Sequence, residues 1–279
     1  MFMVGSNPSR KYVDLINRAS AKYASWDPAK LIRAGDYGKI DRKTGQFQKE
    51  GSIYDTHCPD DVAALAARYP PVTTDAVQEF SVSSLNVKKI KYSAGVQVQA
   101  LGSAGIAGIS FQTAWKFGRD RGAFLVMFNA EMTHVPDEFI SPSAQLDFLK
   151  GKVLVRAAYH CPAYAMYLSN KESETVQLSL DISGPTPVPG LTTEGNLGMD
   201  WHHEGTSGLF QKAIAATASY TPLVSLHMIQ KPFGIRRESP NPIGETPTCD
   251  LWRDVERPWG ELTEDGDSDV EETFSDDSE

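Results

Sequence analysis

Two long stretches of alternating apolar and polar residues lie between Val77 and Val135, separated by the small-residue turn Gly102-Ser103-Ala104-Gly105. Apolar side chains of this alternation are Val96 and Val98 before the turn, and Ala107, Ile109, Phe111, Trp115 and Phe117 after it, with Thr113 and Ala114 neutral. Alternation of period two predicts a β-sheet with one apolar face. The run therefore predicts a hairpin that either lines a core or crosses a bilayer, which takes about 9 to 11 residues per strand.

A second alternating region follows further along the chain. Its apolar positions are Val153, Val155, Ala157, Tyr159 and Cys161, and then, beyond a turn around Asn170 to Ser173, Val176, Leu178, Leu180 and Ile182. This pattern predicts a second long hairpin. After it the sequence predicts a strand from Asn196 to Glu204, a helix from Gly208 to Ala218 and a last strand from Leu223 to Ile229.

Shorter elements are predicted around these two regions. Residues 10 to 24 predict a basic amphipathic helix, and Ala34 to Tyr54 predicts a short hairpin around an Asp-Arg-Lys-Thr-Gly turn. Pro59 to Tyr69 predicts a helix that begins with proline and two acidic residues, and Ser141 to Leu149 predicts another. Beyond Lys231, prolines followed by a Ser/Asp/Glu run predict a connector and a tail without stable structure.

Charge is distributed very unevenly along the 279 residues, whose net charge is −9. Residues 254–279 contain twelve acidic residues and one basic residue, Arg257, whereas the rest of the chain is close to neutral. Residues 10–49, named here the basic segment, contain ten basic residues and four acidic ones. This asymmetry favours an anionic partner for the basic segment and a tail that could screen it, although a solvated face with a solubilising tail would give the same pattern.

Nucleic acid is not the expected partner. A domain that binds by neutralising phosphates usually carries a much stronger basic field than this nearly neutral body. Binding to a membrane surface requires fewer basic residues, because each basic residue near an anionic leaflet contributes about 1 kcal/mol.

Motifs for catalysis or for a cofactor do not stand out. Asp200 to Glu204 could supply metal ligands, but successive strand residues face opposite sides and no spaced partner completes a tetrahedral site. Gly102, Gly105 and Gly108 do not match a phosphate-binding loop, and no serine is framed as Gly-x-Ser-x-Gly. We therefore expect neither an enzyme nor a bound cofactor or metal.

Targeting signals are also not predicted. The sequence shows neither a signal peptide nor a spanning helix, and the three cysteines Cys58, Cys161 and Cys249 lack metal or redox spacing. Reduced thiols and a cytoplasmic resting state are the expectation.

Four stretches together resemble the pore-forming domain of the gasdermins, and most of all the fungal gasdermin-like regulators of cell death that act in heterokaryon incompatibility. They are Ala34 to Asp55, the alternating run from Val77, the strand from Val153 to Ser169 with Tyr159-His160-Cys161-Pro162-Ala163-Tyr164, and Tyr220-Thr221-Pro222-Leu223. The likeness covers roughly residues 10–235. It implies an α+β fold with a twisted mixed or antiparallel sheet and flanking helices, which oligomerises into a ring on acidic lipid and inserts two β-hairpins per subunit.

The resemblance also assigns roles to residues of this chain. Its hairpins would be Val77 to Val135 and Lys152 to Glu204, and residues 1–235 would form the pore-forming domain. Acidic lipid would meet Arg10, Lys11, Arg18, Lys22, Lys30, Arg33, Lys39, Arg42 and Lys43. The membrane-inserting side chains would be Val96, Val98, Ile109, Phe111, Trp115, Val153, Val155, Tyr159, Val176, Leu178 and Leu180.

Release from the dormant state is implied to come from one of two partners, an activating protease or a divergent allelic homologue. Residues 236–279 would then be a Pro-rich connector and a disordered acidic regulatory tail, and a protease would cut near Lys231, Phe233, Arg236 and Arg237. The activated protein would act at the plasma membrane. Two alternatives remain open from the sequence, a soluble β-rich binding module whose strands line a core, and a hydrolase whose site is not recognisable.

Overall fold

The chain divides into two compact units, each assembled from segments that are far apart in the sequence. The computed structural model describes residues 7–90, 111–170, 174–183, 198–204, 208–229 and 252–263. The first unit combines Met1–Ala76, Glu131–His160 and Thr221–Glu279. The second unit combines Val77–Ala130 and Cys161–Tyr220.

Strands dominate the described residues. The helices are α1 (Pro8–Ser20), α2 (Asp60–Arg68) and α3 (Asp137–Ser143), and a 3₁₀ turn spans Asp147–Leu149. The strands of the first half are β1 (Tyr23–Ala24), β2 (Asp36–Ile40), β3 (Phe47–Ser52), β4 (Val72–Thr73), β5 (Val77–Ser83), β6 (Val87–Ile90), β7 (Phe111–Phe117) and β8 (Ala123–His134). Those of the second half are β9 (Val153–Cys161), β10 (Ala163–Leu168), β11 (Thr175–Ser183), β12 (Gly198–Glu204), β13 (Leu209–Ile214), β14 (Tyr220–Ile229) and β15 (Trp252–Asp254).

In the first unit, the hairpin predicted at Ala34 to Tyr54 is confirmed. Strands β2 and β3 pair antiparallel, with Ile40 opposite Phe47. The turn between them is closed by two backbone hydrogen bonds, from Asp41 N–H to the carbonyl of Gln46 at 2.9 Å and from Gly45 N–H to the carbonyl of Asp41 at 2.8 Å. Gly45 adopts φ +73°, which a glycine tolerates best.

The sheet of the first unit is built around β9 and β14. Strand β14 lies between β1 and β9, while β2 and the last four residues of β8 also pair with β9. Strand β9 is buried on both faces, because Leu154 packs in one apolar cluster with Ile53 and Phe139, and Val155 packs in another with Val224. The prediction of a single apolar face for β9 is therefore wrong. A strand covered on both sides is apolar on both.

Two helices of the first unit test the predicted start signals. Helix α2 is confirmed, with Pro59 before it and two aspartates in its first turn. The predicted start of the next helix at Ser141 is wrong, since α3 begins at Asp137 after Pro136 and contains Pro142 within it. Proline followed by acidic residues is the start signal in both helices, because the carboxylates face the positive end of the helix dipole.

The second unit contains two four-stranded antiparallel sheets. In the first, β8 lies between β5 and β10, and β13 pairs with the other edge of β10. In the second, the order is β12, β11, β7 and β6. The strand pairs β6 with β7 and β11 with β12 are each separated in the sequence by residues outside the described ranges, 91–110 and 184–197.

A single apolar core joins the two sheets of the second unit. Trp115 from β7 stacks on Phe124 from β8 with 4.2 Å between ring centroids, and Phe117 meets Tyr167 from β10 edge-on at 5.6 Å. Val176, Leu178 and Leu180 add the inward face of β11, each at most 1% exposed. The alternation predicted after the first turn and on β11 is thus a buried face in this unit.

Two predictions about the second unit are wrong. Residues 208–218 do not form a helix, because 209–214 form β13 and pair residue by residue with β10. The second hairpin does not begin at Lys152, because β11 pairs with β12 and β7 and not with β9. Tertiary pairing overrides a weak helical pattern, and alternation fixes the face of a strand but not its partner.

The described residues confirm the coarse fold class, an α+β protein with mostly antiparallel strands. The expectation that order ends beyond Lys231 is wrong for 252–263, where β15 adds to the edge of β14. The domain boundary at residue 235 stays a prediction. Among the described residues no helix is long and apolar enough to cross a membrane.

Replacing Trp115 tests the core of the second unit. Trp115→Ala should lower the free energy of unfolding by about 3 to 5 kcal/mol, because it leaves a cavity against Phe124. Lys116→Ala, at the exposed neighbouring position, should change it by less than about 0.5 kcal/mol. Denaturant unfolding of both variants measures the difference, and equal effects would contradict the two-sheet core.

Candidate functional site

Helix α1 carries the beginning of the basic segment. The Asn7 side chain accepts a hydrogen bond from Arg10 N–H at 3.2 Å at its start, and Pro8 occupies the first turn. Ala21 ends the helix in the left-handed conformation, with φ 56°. The helix is therefore shorter than the predicted span of residues 10 to 24, and Tyr23 lies on β1 instead.

Two of the predicted lipid contacts are buried. Arg10 is 8% exposed and Lys11 is 7% exposed. The guanidinium of Arg10 lies 5.5 Å from the ring centroid of Trp259, and Lys11 Nζ donates to the carbonyl oxygen of Thr263 at 2.6 Å. In this conformation neither side chain is accessible to a bilayer surface, so their assignment as lipid contacts requires a rearrangement and stays a prediction.

Residues 252–263, named here the C-terminal segment, cover these two side chains. Its strand β15 pairs with β14, from Trp252 opposite Ile229 to Asp254 opposite His227. The hydroxyl of Tyr23 lies 3.1 Å and 3.0 Å from the backbone carbonyls of Val255 and Glu256, to which it donates. Trp252, Trp259 and Leu262 are buried in the clusters of the first unit.

Asp14 joins helix α1 to the C-terminal segment. Its carboxylate is 2% exposed, binds Arg18 Nε at 2.9 Å one turn along the helix, and also forms an ion pair with Arg257. The indole Nε1 of Trp259 donates a hydrogen bond to the same carboxylate at 3.0 Å. A buried carboxylate needs such partners, because an unpaired charge in the interior is costly.

A glycine makes room for Trp259. A Cβ atom on Gly45 would lie 3.1 Å from the Trp259 ring and 3.3 Å from Cβ of Val13. The β2–β3 turn therefore passes close to helix α1 and leaves a slot for one indole. We name the surface formed by α1, the β2–β3 turn and the edge of β14 that pairs with β15 the docking groove.

The other predicted lipid contacts lie at the surface in varied states. Arg18 is paired with Asp14, Lys39 with Glu50 at 2.9 Å, and Lys22 is half-buried. The remaining four are exposed and form no ion pair with any described residue: Lys30, Arg33, Arg42 and Lys43. These four are the cations of the predicted set that an anionic surface could meet without rearrangement.

The predicted membrane-inserting residues divide between the two units. Trp115, Val176, Leu178 and Leu180 lie in the core of the second unit, and Phe111 begins β7. Val153, Val155 and Tyr159 lie instead on β9 in the first unit, outside both strand pairs of the second unit. Three positions fall outside the described residues, Val96, Val98 and Ile109.

The predicted cleavage region also falls outside the described residues, at Lys231, Phe233, Arg236 and Arg237. Sequence reasoning missed the C-terminal segment altogether. The spacing of Trp252, Trp259 and Leu262 within an otherwise acidic stretch was the available signal, since buried aromatic anchors are unusual in a solvated tail.

Metal or thiol chemistry gains no support from the described geometry. Within the described ranges, no group of three or more His, Cys, Asp or Glu side chains could hold a metal ion. Cys58 and Cys161 are free and buried. Burial raises the pKa of both thiols, that of Cys161 to about 12, which disfavours the reactive thiolate.

Comparisons with known proteins leave the family open. No protein-family model matches the sequence, and no curated protein matches it. Among solved structures, the cryo-EM structure of the Gasdermin A3 membrane pore matches at 8% identity and a TM-score of 0.31, covering 89% of this chain and 94% of that one. A TM-score this low carries no argument about fold or function.

Arg257 and Arg253 offer a matched test of the C-terminal segment. Arg257→Ala should increase hydrogen exchange or proteolysis of residues 252–263 by about tenfold, because it removes a cation from the buried Asp14. Arg253→Ala, at an exposed position of the same segment, should leave protection unchanged. Equal protection in the two variants would show that the Asp14 ion pair does not hold the segment.

The pKa values of two histidines in the first unit lead us to expect that the protein is less stable in acid. Burial lowers the pKa of His160, with Arg33 adding to the effect, and burial lowers that of His227 although Asp254 opposes it. Because their ordinary pKa is 6.5, the unfolded chain takes up protons first, and stability present above about pH 6.5 falls as pH decreases through the lowered values.

The melting temperature should accordingly fall between about pH 7 and pH 5. His160→Gln and His227→Gln should each make this dependence shallower, whereas His57→Gln, at an exposed position, should not. Melting curves at several pH values give the answer, and identical slopes in all four proteins would refute the assignment.

Proposed function

We propose that this chain is a gasdermin-like membrane pore-forming protein, a cell-death effector that oligomerises on acidic lipid and inserts two β-hairpins per subunit. The observation that carries the proposal is the second sheet of the second unit. It consists of two antiparallel strand pairs, β6 with β7 and β11 with β12, joined through β7 and β11. Its inward residues on β7 and β11 form a buried apolar face.

One of the four strands in these pairs already has the length that insertion needs, and the other three are shorter. A strand that crosses a bilayer needs about 9 to 11 residues and closed hydrogen bonding on both sides. Strand β11 has nine residues, and β7 has seven. The alternation at Val96, Val98 and Ile109 would extend the arms of the first hairpin in the inserted state, and neighbouring copies would supply the missing strand partners.

Two polar atoms of strand β7 destabilise the resting unit. Thr113 Oγ1 and Trp115 Nε1 are buried and have no hydrogen-bond partner among the described residues. A buried polar atom without a partner costs about 1 to 3 kcal/mol. An indole at a membrane–water interface keeps apolar contact and regains its hydrogen bond, so insertion would relieve part of this cost.

The exposed cations of the basic segment would bring the protein to acidic lipid. Lys30, Arg33, Arg42 and Lys43 are exposed, and each basic residue near an anionic leaflet contributes about 1 kcal/mol. Four such residues supply attraction on the order of 4 kcal/mol, which falls off within a Debye length. Nucleic acid, a cofactor and a metal have no part in this proposal.

The C-terminal segment would restrain the resting protein. It buries Arg10 and Lys11 and is followed by the acidic residues of 264–279. An activating protease that cuts near Lys231 to Arg237, or a divergent allelic homologue, would release it, as in heterokaryon incompatibility of fungi. The protein would be cytoplasmic at rest and would act at the plasma membrane.

Dye release from vesicles tests the proposal. A full-length chain with a protease site inserted between Phe233 and Arg236 should leak vesicles containing acidic phospholipid after cutting, and at least tenfold less before it. Vesicles of neutral lipid should stay intact. Cut protein that carries the double charge reversal Arg42→Glu with Lys43→Glu should leak acidic vesicles more slowly, because two of the four exposed cations are replaced by anions.

If the cut protein releases no dye, even when it is mixed with a homologous partner, that result would contradict pore formation. That result would favour the alternative of a soluble β-rich binding module, because the same buried faces of β7 and β11 are what such a module would need. Trp115→Arg separates the two functions further. In a pore former, any folded fraction of this variant should bind acidic vesicles without leaking them.

A further inference from the structure

We propose that the docking groove accepts the C-terminal segment of a second copy of this chain. The inference rests on the contacts of residues 252–263 and not on pore formation. It assigns the groove a partner of defined chemistry, a peptide that begins with a strand and carries Trp252, Arg257 and Trp259.

The connection between the segment and its own groove is long. Residues 230–251 separate the end of β14 from the start of β15. At about 3.3 Å per residue, this length of chain could reach about 70 Å when extended. The contacts described for the groove are made by the segment itself, so the same contacts are available to a segment from another molecule.

Three kinds of contact make the recognition selective. Trp252 to Asp254 add a strand to β14, which supplies backbone hydrogen bonds. Arg257 pairs with the buried carboxylate of Asp14, and Trp259 fills the slot beside Gly45. A peptide with the wrong charge or without the second indole would leave Asp14 poorly paired and the slot empty.

Lys11 adds a contact at the far end of the groove. Its Nζ donates to the backbone carbonyls of Leu262 at 3.4 Å and Thr263 at 2.6 Å. These are backbone acceptors, so they fix the register and direction of the bound peptide independently of its side chains. The contacts with the groove are therefore spread along the segment, from the strand at one end to the two carbonyls at the other.

Mass action decides when exchange between copies occurs. The covalent connection between β14 and β15 keeps the segment at an effective concentration on the order of millimolar, so dilute molecules keep their own segment. Copies crowded to a similar local concentration would exchange segments at little cost, because the contacts are identical within and between chains. Groove and segment are different surfaces, so the exchange links copies head to tail or in reciprocal pairs.

A labelled peptide tests the groove as an autonomous site. The peptide of residues 252–263 should bind full-length Trp259→Ala at least tenfold more tightly than the wild-type chain, whose groove is already filled. A peptide in which Arg257 and Trp259 are both alanine should bind neither protein. Fluorescence anisotropy measures the affinities, and circular dichroism checks that the variant is folded.

Equal affinity for the two proteins, or binding by neither, would overturn the inference. Should Trp259→Ala fail to fold, the milder Arg257→Ala takes its place, with Arg253→Ala as the control that should resemble the wild type. None of these measurements uses a membrane. Failure of the peptide experiment and failure of the leakage experiment are therefore separate results.

Complementation tests the second copy as the occupant. Full-length Asp14→Ala has a damaged groove and an intact segment, and full-length Trp259→Ala has the reverse. Mixed at about 100 μM, they should sediment as a larger species than either variant alone, because only the mixture contains a matching groove and segment free of internal competition. Peptide binding without a larger species in the mixture would show that a second copy is not the occupant.

Discussion

A β-sheet with one apolar face is stable in water only when a second layer covers that face. The second unit meets this constraint with a second sheet, and the contact between Trp115 and Phe124 lies in the core between the two. The constraint also explains why pattern alone leaves two functions open. A face that stays covered and a face that is covered only until membrane insertion show the same alternation of residues. They differ in the free energy that the resting fold loses by covering the face. The unpaired Thr113 Oγ1 and Trp115 Nε1 are the part of that cost which the described residues reveal.

Asp14 plays the corresponding part in the first unit. A carboxylate that is 2% exposed would be strongly destabilising by itself, so its partners are part of the fold rather than additions to it. One partner, Arg18, comes from the same helix, and the other two, Arg257 and Trp259, come from the end of the described chain. Residues 252–263 of a strongly acidic region are thereby integrated into the first unit, and they cover the cations Arg10 and Lys11.

The sequence predicted the elements whose signal is local. The β2–β3 hairpin follows from its turn chemistry, α2 from its proline and aspartates, and the faces of β7 and β11 from alternation. It did not predict that β11 pairs with β7 and β12 instead of β9, because partners are chosen by tertiary packing. Assigning basic residues to lipid contact rests on the assumption that they are exposed, which holds for Arg42 and Lys43.

The same assumption fails for Arg10 and Lys11, because their partners come from about 250 residues further along the chain. No local pattern could reveal these contacts. Composition misled in a related way at the C-terminal end. The acidic average of 254–279 hid Trp259 and Leu262, which decide whether residues 252–263 pack. An average over a window describes solvation, whereas one buried indole can determine the position of a segment.

In the proposed function, an anionic membrane would act at the same time on the exposed cations and on the acidic residues after the C-terminal segment. Its negative potential attracts Lys30, Arg33, Arg42 and Lys43, and it repels the acidic residues 264–279 that follow the C-terminal segment. Both forces fall off within about 10 Å, so they act only on molecules already at the surface. The Asp14 carboxylate is buried, so its ion pair with Arg257 is less screened, and this pair opposes the separation. Electrostatic forces alone therefore release the C-terminal segment only incompletely as long as the chain between β14 and β15 is intact. Cutting that chain removes the high effective concentration that returns the segment to its groove.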